Sequence, residues 1–134
     1  MAKVYAFLAE GLEEVECLAV VDVLRRSGVE VTMVSVSGRK EVTGSHGIRL
    51  MADALFEEAD PDQADVLFLP GGMPGTNNLR EHQGLREAIE RANKQGRSVC
   101  FSITKHTDII WFFLYDKRFV TILTSLGKLP SPKK

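Results

Sequence analysis

The segment Leu69–Gly75 carries the groups best suited to hold a ligand through the main chain. An apolar run, Val66–Leu69, ends here at a proline that is followed by three glycines within five residues. Such a run is typical of a strand buried on both faces of a parallel sheet. Glycines permit a sharp turn and leave N–H groups uncovered at the strand's carboxyl end, where open α/β sheets bind ligands. The segment therefore predicts the floor of a site, or else a tight turn without a ligand.

Glu16 is the carboxylate that spacing sets apart. A helix is predicted over about residues 12–27, and its dipole accounts for the acidic pair Glu13–Glu14 in the first turn. Glu16 instead shares a helix face with Val20 and Val23, which are typical core residues. We expect its carboxyl to point into a buried site, where it would be protonated and donate a hydrogen bond. The alternative is a partly exposed residue at the edge of that face.

Two thiols and one histidine are the remaining candidates. Cys17 follows Glu16 and so points about 100° away around the helix, which predicts a small buried hydrophobe. Cys100 falls in a predicted strand. His46 lies between Gly44 and Gly47 in a turn, and we expect it to be solvated, with a role in a site or an interface as the alternative. No His/Cys group has metal-ligand spacing, so no metal and no cofactor are predicted.

Alternating strands and helices must position these groups. Strands are predicted at 3–9, 29–36, 66–69 and 98–103, helices at 12–27 and 83–95, a hairpin over 41–51, a short helix within 53–60, a loop at 61–63 and a helical turn from 76. The order, two β-α-β units separated by a hairpin, favours an α/β fold with a doubly wound parallel sheet.

Composition narrows the class of protein. Seventeen basic and eighteen acidic residues leave a net charge of -1, which gives no electrostatic reason to expect nucleic acid or a membrane surface as a partner. The start of the chain has no signal-peptide pattern, and its longest apolar run, Ile109–Tyr115, is too short to span a bilayer. Two cysteines are too few for a disulfide scaffold, so a reducing cytoplasm is the expected location.

The pattern changes beyond about residue 103. Four aromatic residues lie within Ile109–Tyr115, and the end of the chain, Pro130–Lys134, is typical of a frayed tail. We therefore expect an α/β core over residues 1–103 and an atypical tail over 104–134.

Four segments together resemble the ThiJ/PfpI family. They are Ala9–Glu16, Val21–Gly28, Val42–Ile48, and Leu69–Gly72 with the pair Asn78–Leu79, and they lie in family order within residues 3–99. The resemblance implies a flavodoxin-like sandwich, similar to class I glutamine amidotransferases, that usually forms a homodimer. It also implies cysteine-dependent chemistry on small reactive dicarbonyls, of the glyoxalase or deglycase type, or a redox-sensing chaperone. Bacterial members often carry a thiazole-biosynthesis label.

The resemblance further implies a cysteine on a strand-to-helix elbow. Glu16 matches the acidic residue that hydrogen-bonds this thiol, and the main chain at Gly71 and Gly72 matches an oxyanion hole. Counted from Gly96, however, the nucleophile position falls on Ile103, and Cys100 comes three residues early.

Three origins of the missing thiol stay open. The reading frame has shifted near residue 98 or 99, or the chain has diverged or been truncated without the thiol, or Cys100 serves in a different local register. Two functions follow from these possibilities. One is the family's cysteine chemistry, and the other is that of a non-catalytic pseudoenzyme or chaperone-like binding protein.

Overall fold

The structure, a computed structural model, describes residues 2–101. Ile103, the apolar run Ile109–Tyr115 and the tail over 104–134 lie outside the described residues. The expectations for these segments, including the division of the chain at residue 103, therefore stay predictions.

Seven strands are present in the described part. They are β1 (Lys3–Leu8), β2 (Glu30–Ser35), β3 (Glu41–Thr43), β4 (Arg49–Met51), β5 (Ala54–Leu55), β6 (Val66–Leu69) and β7 (Ser98–Phe101). Strands β3 and β4 form the predicted antiparallel hairpin. The other five pair in parallel in the order β5-β2-β1-β6-β7. This arrangement confirms the doubly wound sheet, and all four residues of β6 are buried as its apolar run predicts.

Three helices flank the sheet: α1 (Glu14–Arg26), α2 (Gly75–Glu81) and α3 (Gln83–Lys94). Helix α1 begins where the Glu13 carboxylate accepts the main-chain N–H of Glu16 over 2.7 Å. In the same way, His82 caps α3 by accepting the N–H of Leu85 on its Nδ1 over 3.0 Å. Both caps satisfy donors that the first turn of a helix leaves without a partner.

The face of α1 that packs on the sheet differs from the predicted one. Its buried residues are Glu14, Cys17, Val21 and Leu24. Val23, expected in the core beside Glu16 and Val20, is 48% exposed. The prediction was wrong because it took valine as a marker of the core, whereas the true core face carries a charged residue and a cysteine.

The segment after the hairpin also departs from the prediction of a short helix. Ala54 and Leu55 form an edge strand beside β2, and only Phe56–Glu58 is helical, as a 3₁₀ turn. The Asp53 carboxylate accepts the N–H of Met33 over 2.8 Å and so holds this segment along β2. The predicted loop at Pro61–Gln63 is a second 3₁₀ turn.

The strand order opens a crevice between the carboxyl ends of β1 and β6. After β1 the chain crosses through α1 to β2, and after β6 it crosses through α2 and α3 to β7 on the other side. Ligands of open α/β sheets bind at such a point. Phe7, Leu67 and Leu85 are fully buried in the core that supports it. No helix within residues 2–101 has the length and apolar character needed to cross a membrane.

Candidate functional site

The loops that follow β1 and β6 are hydrogen-bonded to each other in the crevice. The N–H of Glu13 donates to the carbonyl oxygen of Gly71 over 2.8 Å, and the N–H of Gly75 donates to that of Gly11 over 3.1 Å. The side-chain amide of Asn78, on α2, reaches across to the carbonyl of Glu10 at 2.8 Å. These bonds fix the glycine-rich turn against the start of α1.

Gly72 occupies a place in this junction that no other residue fits. Its φ of +103° lies in the region that favours glycine, and a Cβ there would collide with the main-chain nitrogen of Glu13. The residue is buried, and its carbonyl accepts the N–H of Thr76 over 2.8 Å. Its own N–H has no hydrogen-bond acceptor among the described residues. A buried donor of this kind is suited to a ligand oxygen.

Glu16 lies in the first turn of α1, three residues beyond the one that contacts Gly71, and is half-buried. Its N–H is held by the Glu13 carboxylate, so the backbone at Glu16 is anchored to the same junction as Gly72. The structure therefore brings the main chain of both predicted residues to one junction between the two loops.

The buried carboxylate of α1 is Glu14, a residue that the sequence interpretation assigned only to the helix dipole. Glu14 is 2% exposed, and its Oε1 accepts the N–H of His46 over 2.8 Å and that of Ile48 over 3.4 Å. Its Oε2 lies 2.9 Å from Nδ1 of His46. Burial raises the pKa of Glu14, but the hydrogen bonds from His46, together with those from the main chain of Glu14 and Ile48, outweigh it and lower the pKa to about 2. The carboxylate is therefore charged.

The hairpin turn is shaped around this carboxylate. A Cβ at Gly44 would collide with the Glu14 carboxyl group, so glycine is required there. The imidazole of His46 is 67% exposed, as the predicted solvated turn implies, yet it also contacts Oε1 of Glu13 at 3.6 Å. The sequence pattern that could have revealed the pairing of Glu14 with His46 was a histidine enclosed by glycines together with a second glutamate at the start of the helix.

Glu13, Glu14 and His46 also bring three groups of metal-ligand type within 4.8 Å of one another. They come from two distant segments, which is why spacing along the sequence did not reveal them. Nδ1 of His46 and Oε2 of Glu14 are already paired with each other. The arrangement is that of an ion pair, and we assign no metal to it.

Both cysteines are buried. Cys17 has no exposed surface, as expected of a small core residue. Burial raises the pKa of its thiol to about 12, and the charge of Glu13 adds to the effect. Cys100 lies in β7 beside Phe68 of β6 and is 6% exposed. Ile103, where the count from Gly96 predicts the family nucleophile, is outside the described residues.

Comparison with known proteins gives the same fold. The model of the DJ-1/PfpI family matches residues 2–107, which is most of the chain. The chain belongs to the DJ-1/PfpI family. It is 36% identical over 95 residues to DJ-1 homolog B of Arabidopsis thaliana, and 39% identical over 70 residues to a deglycase of Thermococcus kodakarensis. The oxidized DJ-1 structure of Toxoplasma gondii superimposes with a TM-score of 0.73 at 32% identity.

The matched regions make up different fractions of this chain and of each related DJ-1/PfpI protein. The matches to the Arabidopsis protein, the Thermococcus deglycase and the Toxoplasma structure cover 71%, 52% and 75% of this chain, respectively. The chain in turn spans 22% of the Arabidopsis protein, 42% of the deglycase and 55% of the Toxoplasma chain.

Proposed function

We propose that this chain binds small reactive carbonyl compounds in the crevice between β1 and β6, without thiol-dependent turnover. The crevice offers the N–H of Gly72 to a carbonyl or carboxylate oxygen, with the Glu16 carboxyl on the adjoining helix turn as a proton donor or acceptor. The observation that carries the proposal is that this donor is held in place while both thiols of the chain are buried.

Turnover in the family's manner would need an exposed thiolate. The thiolate would add to the carbonyl carbon, the oxyanion would be stabilised by the Gly72 N–H, and Glu16 would transfer the proton. A pKa of about 12 keeps Cys17 a neutral thiol at pH 7, and its side chain faces the core. Ile103 stands where the family pattern implies the nucleophile, and it has no thiol to offer. The burial of Cys17 and Cys100 likewise gives no support to redox sensing.

The relatives support the chemical class of the ligand. Two of them, from Thermococcus kodakarensis and Pyrococcus abyssi, are named deglycases. The family's dicarbonyl chemistry is therefore the best guide to what the crevice would accept. We also propose a cytoplasmic location, because two cysteines are too few for the disulfide scaffold of a small secreted protein.

Methylglyoxal is the probe for the test. The unaltered protein should consume methylglyoxal no faster than the Glu16→Gln variant does. Brief exposure of the unaltered protein to a low concentration of methylglyoxal should shift the NMR resonance of the Gly72 amide. The exposed Glu87→Gln is the matched control and should bind as the unaltered protein does. Consumption well above that of Glu16→Gln would refute the absence of turnover, and an unmoved Gly72 resonance would refute the binding site.

A second variant distinguishes a chain that has diverged from the family from one whose reading frame has shifted near residue 98 or 99. If residues near 103 still form the family's elbow, Ile103→Cys should gain methylglyoxal consumption that depends on Glu16. No gain is expected if the tail is out-of-frame translation. The double variant Ile103→Cys/Glu16→Gln shows whether any gain uses the proposed site.

We also propose that the chain forms a homodimer through the outer face of α1. Val15 is 71% exposed on this helix, and Leu18 and Val23 extend the apolar surface along it. Exposed apolar surface of this kind is typical of contacts between proteins. Val15→Glu should convert the dimer to a monomer in analytical ultracentrifugation, and an unaltered protein that is monomeric at high micromolar concentration would refute the proposal.

A further inference from the structure

One charged side chain of helix α1 binds the far side of the hairpin turn. The Glu14 carboxylate accepts the N–H groups of His46 and Ile48 and faces the His46 ring. Three further bonds join the hairpin to the segment that precedes α1. The N–H of Ser45 donates to the carbonyl of Leu12 over 2.7 Å and the N–H of Gly11 to that of Thr43 over 2.9 Å, while the N–H of Thr43 donates to the Glu10 carboxylate over 3.2 Å. The side of the turn formed by His46 and Ile48 is therefore held through the charges of Glu14 and His46, whereas Thr43 and Ser45 are held by other groups.

The surroundings of the His46 ring favour its protonated form. In the described part of the chain, the ionisable groups that face it from the start of α1 are the capping residue Glu13 and Glu14, at 3.6 Å and 2.9 Å from Nδ1. From its own turn, the hydroxyl of Ser45 lies 3.1 Å from the same nitrogen. The positive end of the α1 dipole opposes a cation here, but it is a weaker influence than an adjacent carboxylate. Because the ring is largely exposed, it exchanges protons directly with water.

We propose that His46 forms a pH-sensitive contact. The protonated ring holds the hairpin turn on α1, and the turn loosens when the ring loses its proton to solvent. A neutral ring can keep a donor on Nδ1 in only one of its two tautomers. It also loses the charge that balances two neighbouring carboxylates. This inference rests on the geometry of the turn and is independent of the proposed carbonyl binding.

The sign of the pH dependence follows from the pKa shifts of His46 and Glu14. The hydrogen bond to Glu14 and the charge of Glu14 raise the pKa of His46 above 6.5. A raised folded-state pKa means that the stabilisation is fully present below 6.5 and is lost as the pH rises through the higher folded value. Glu14 stays charged until far lower pH, because its own pKa is about 2. The turn is therefore held most firmly below pH 6.5 and loosens as the pH rises through the raised folded-state pKa of His46.

The loosening should reach the crevice through Glu13. One carboxylate oxygen of Glu13 contacts the His46 ring, and the other accepts the N–H of Glu16. The N–H of Glu13 is bonded to Gly71. A change of charge at His46 is thus felt by a residue that joins helix, hairpin and glycine-rich turn.

Amide hydrogen exchange measured by NMR tests the proposal. Protection factors, which correct for the intrinsic pH dependence of exchange, would be measured for Ser45, His46 and Ile48 between pH 5.5 and pH 9. In the unaltered protein we expect a severalfold loss of protection at alkaline pH, with its midpoint at the pKa given by the His46 ring resonances. The variant His46→Gln, which cannot titrate, should show low protection that no longer depends on pH.

His82→Asn is the matched control. It removes the other histidine within residues 2–101 while keeping an acceptor at the cap of α3, so the pH dependence at the turn should persist. The proposal is overturned if protection in the unaltered protein is flat across this range, or if His46→Gln retains the alkaline loss. A His46 ring that titrates at or below 6.5 in the unaltered protein would overturn it without any variant.

Discussion

The main-chain N–H of Glu13 donates a hydrogen bond to the carbonyl oxygen of Gly71 over 2.8 Å. This bond joins the last residue before α1 to the turn that follows β6. Two loops that are far apart in the sequence thereby become one wall of the crevice. The contact leaves no room for a side chain at Gly72, so the geometry of the wall depends on glycine at that position.

Gly72→Ala should therefore be far more damaging than an ordinary glycine replacement. Gly38 is a matched control, because it has a similarly positive φ, +85°, but open space around it. We expect Gly38→Ala to cost about 1–2 kcal/mol from the left-handed backbone alone. Gly72→Ala should cost about 2 kcal/mol more, since the new methyl group also displaces Glu13. Urea unfolding at pH 7 measures both, and equal losses would contradict the close approach.

Glu14→Gln should change the response of stability to acid. The folded-state pKa of Glu14 is lowered from 4.5 to about 2, so its contribution is present above 4.5 and is lost as the pH falls toward 2. The unaltered protein should lose stability across this interval more steeply than Glu14→Gln, which starts less stable at pH 6. Denaturant midpoints at pH 6 and pH 3 test this, with Glu87→Gln as the exposed control. Parallel losses in unaltered protein and Glu14→Gln would show that Glu14 is not held as a buried anion.

Cys17 should be inert to thiol reagents in the folded protein. Its thiol has no exposed surface and a pKa of about 12, so little thiolate is available to attack iodoacetamide at pH 8. Mass spectrometry should find Cys17 unmodified after a treatment that labels it fully in guanidinium chloride. Rapid labelling of the folded protein would mean that the core face of α1 opens readily.

Leu85→Ala should show how much α3 contributes to the core. Leu85 is fully buried, so the deletion should cost about 2–5 kcal/mol through lost burial and the cavity left behind. Met51→Ala, at a side chain that is 61% exposed, should cost no more than about 0.5 kcal/mol. Similar values for the two variants would contradict the packing of α3 on the sheet.

Much of the fold could be predicted because local patterns dominate it. The unbroken apolar run Val66–Leu69 indicated a strand buried on both faces, and the turn Gly44–Gly47 indicated a hairpin. The edge strand at Ala54–Leu55 was missed because two residues carry no periodicity. Its position depends on Asp53 binding to β2, a contact that only the folded chain makes.

The site was only partly accessible to sequence reasoning. The glycine-rich turn was found because a cluster of glycines directly after a buried strand indicates a sharp turn with uncovered N–H groups. The pairing of Glu14 with His46 joins residues 32 positions apart and exists only once the hairpin docks on α1. The helix face was misjudged because a charged residue was not expected in the core. Hydrogen bonds from the turn are what make its burial tolerable.

The fit of the Glu14 carboxylate against Gly44 has an evolutionary consequence. A carboxylate at one position requires the absence of a side chain at the other, so neither can be replaced alone without loss. Among relatives of this chain, the two positions should covary: where the glycine gives way to a larger residue, the glutamate should be shortened or neutral. Such paired substitutions would be evidence that this packing constraint acts on the sequences of the relatives.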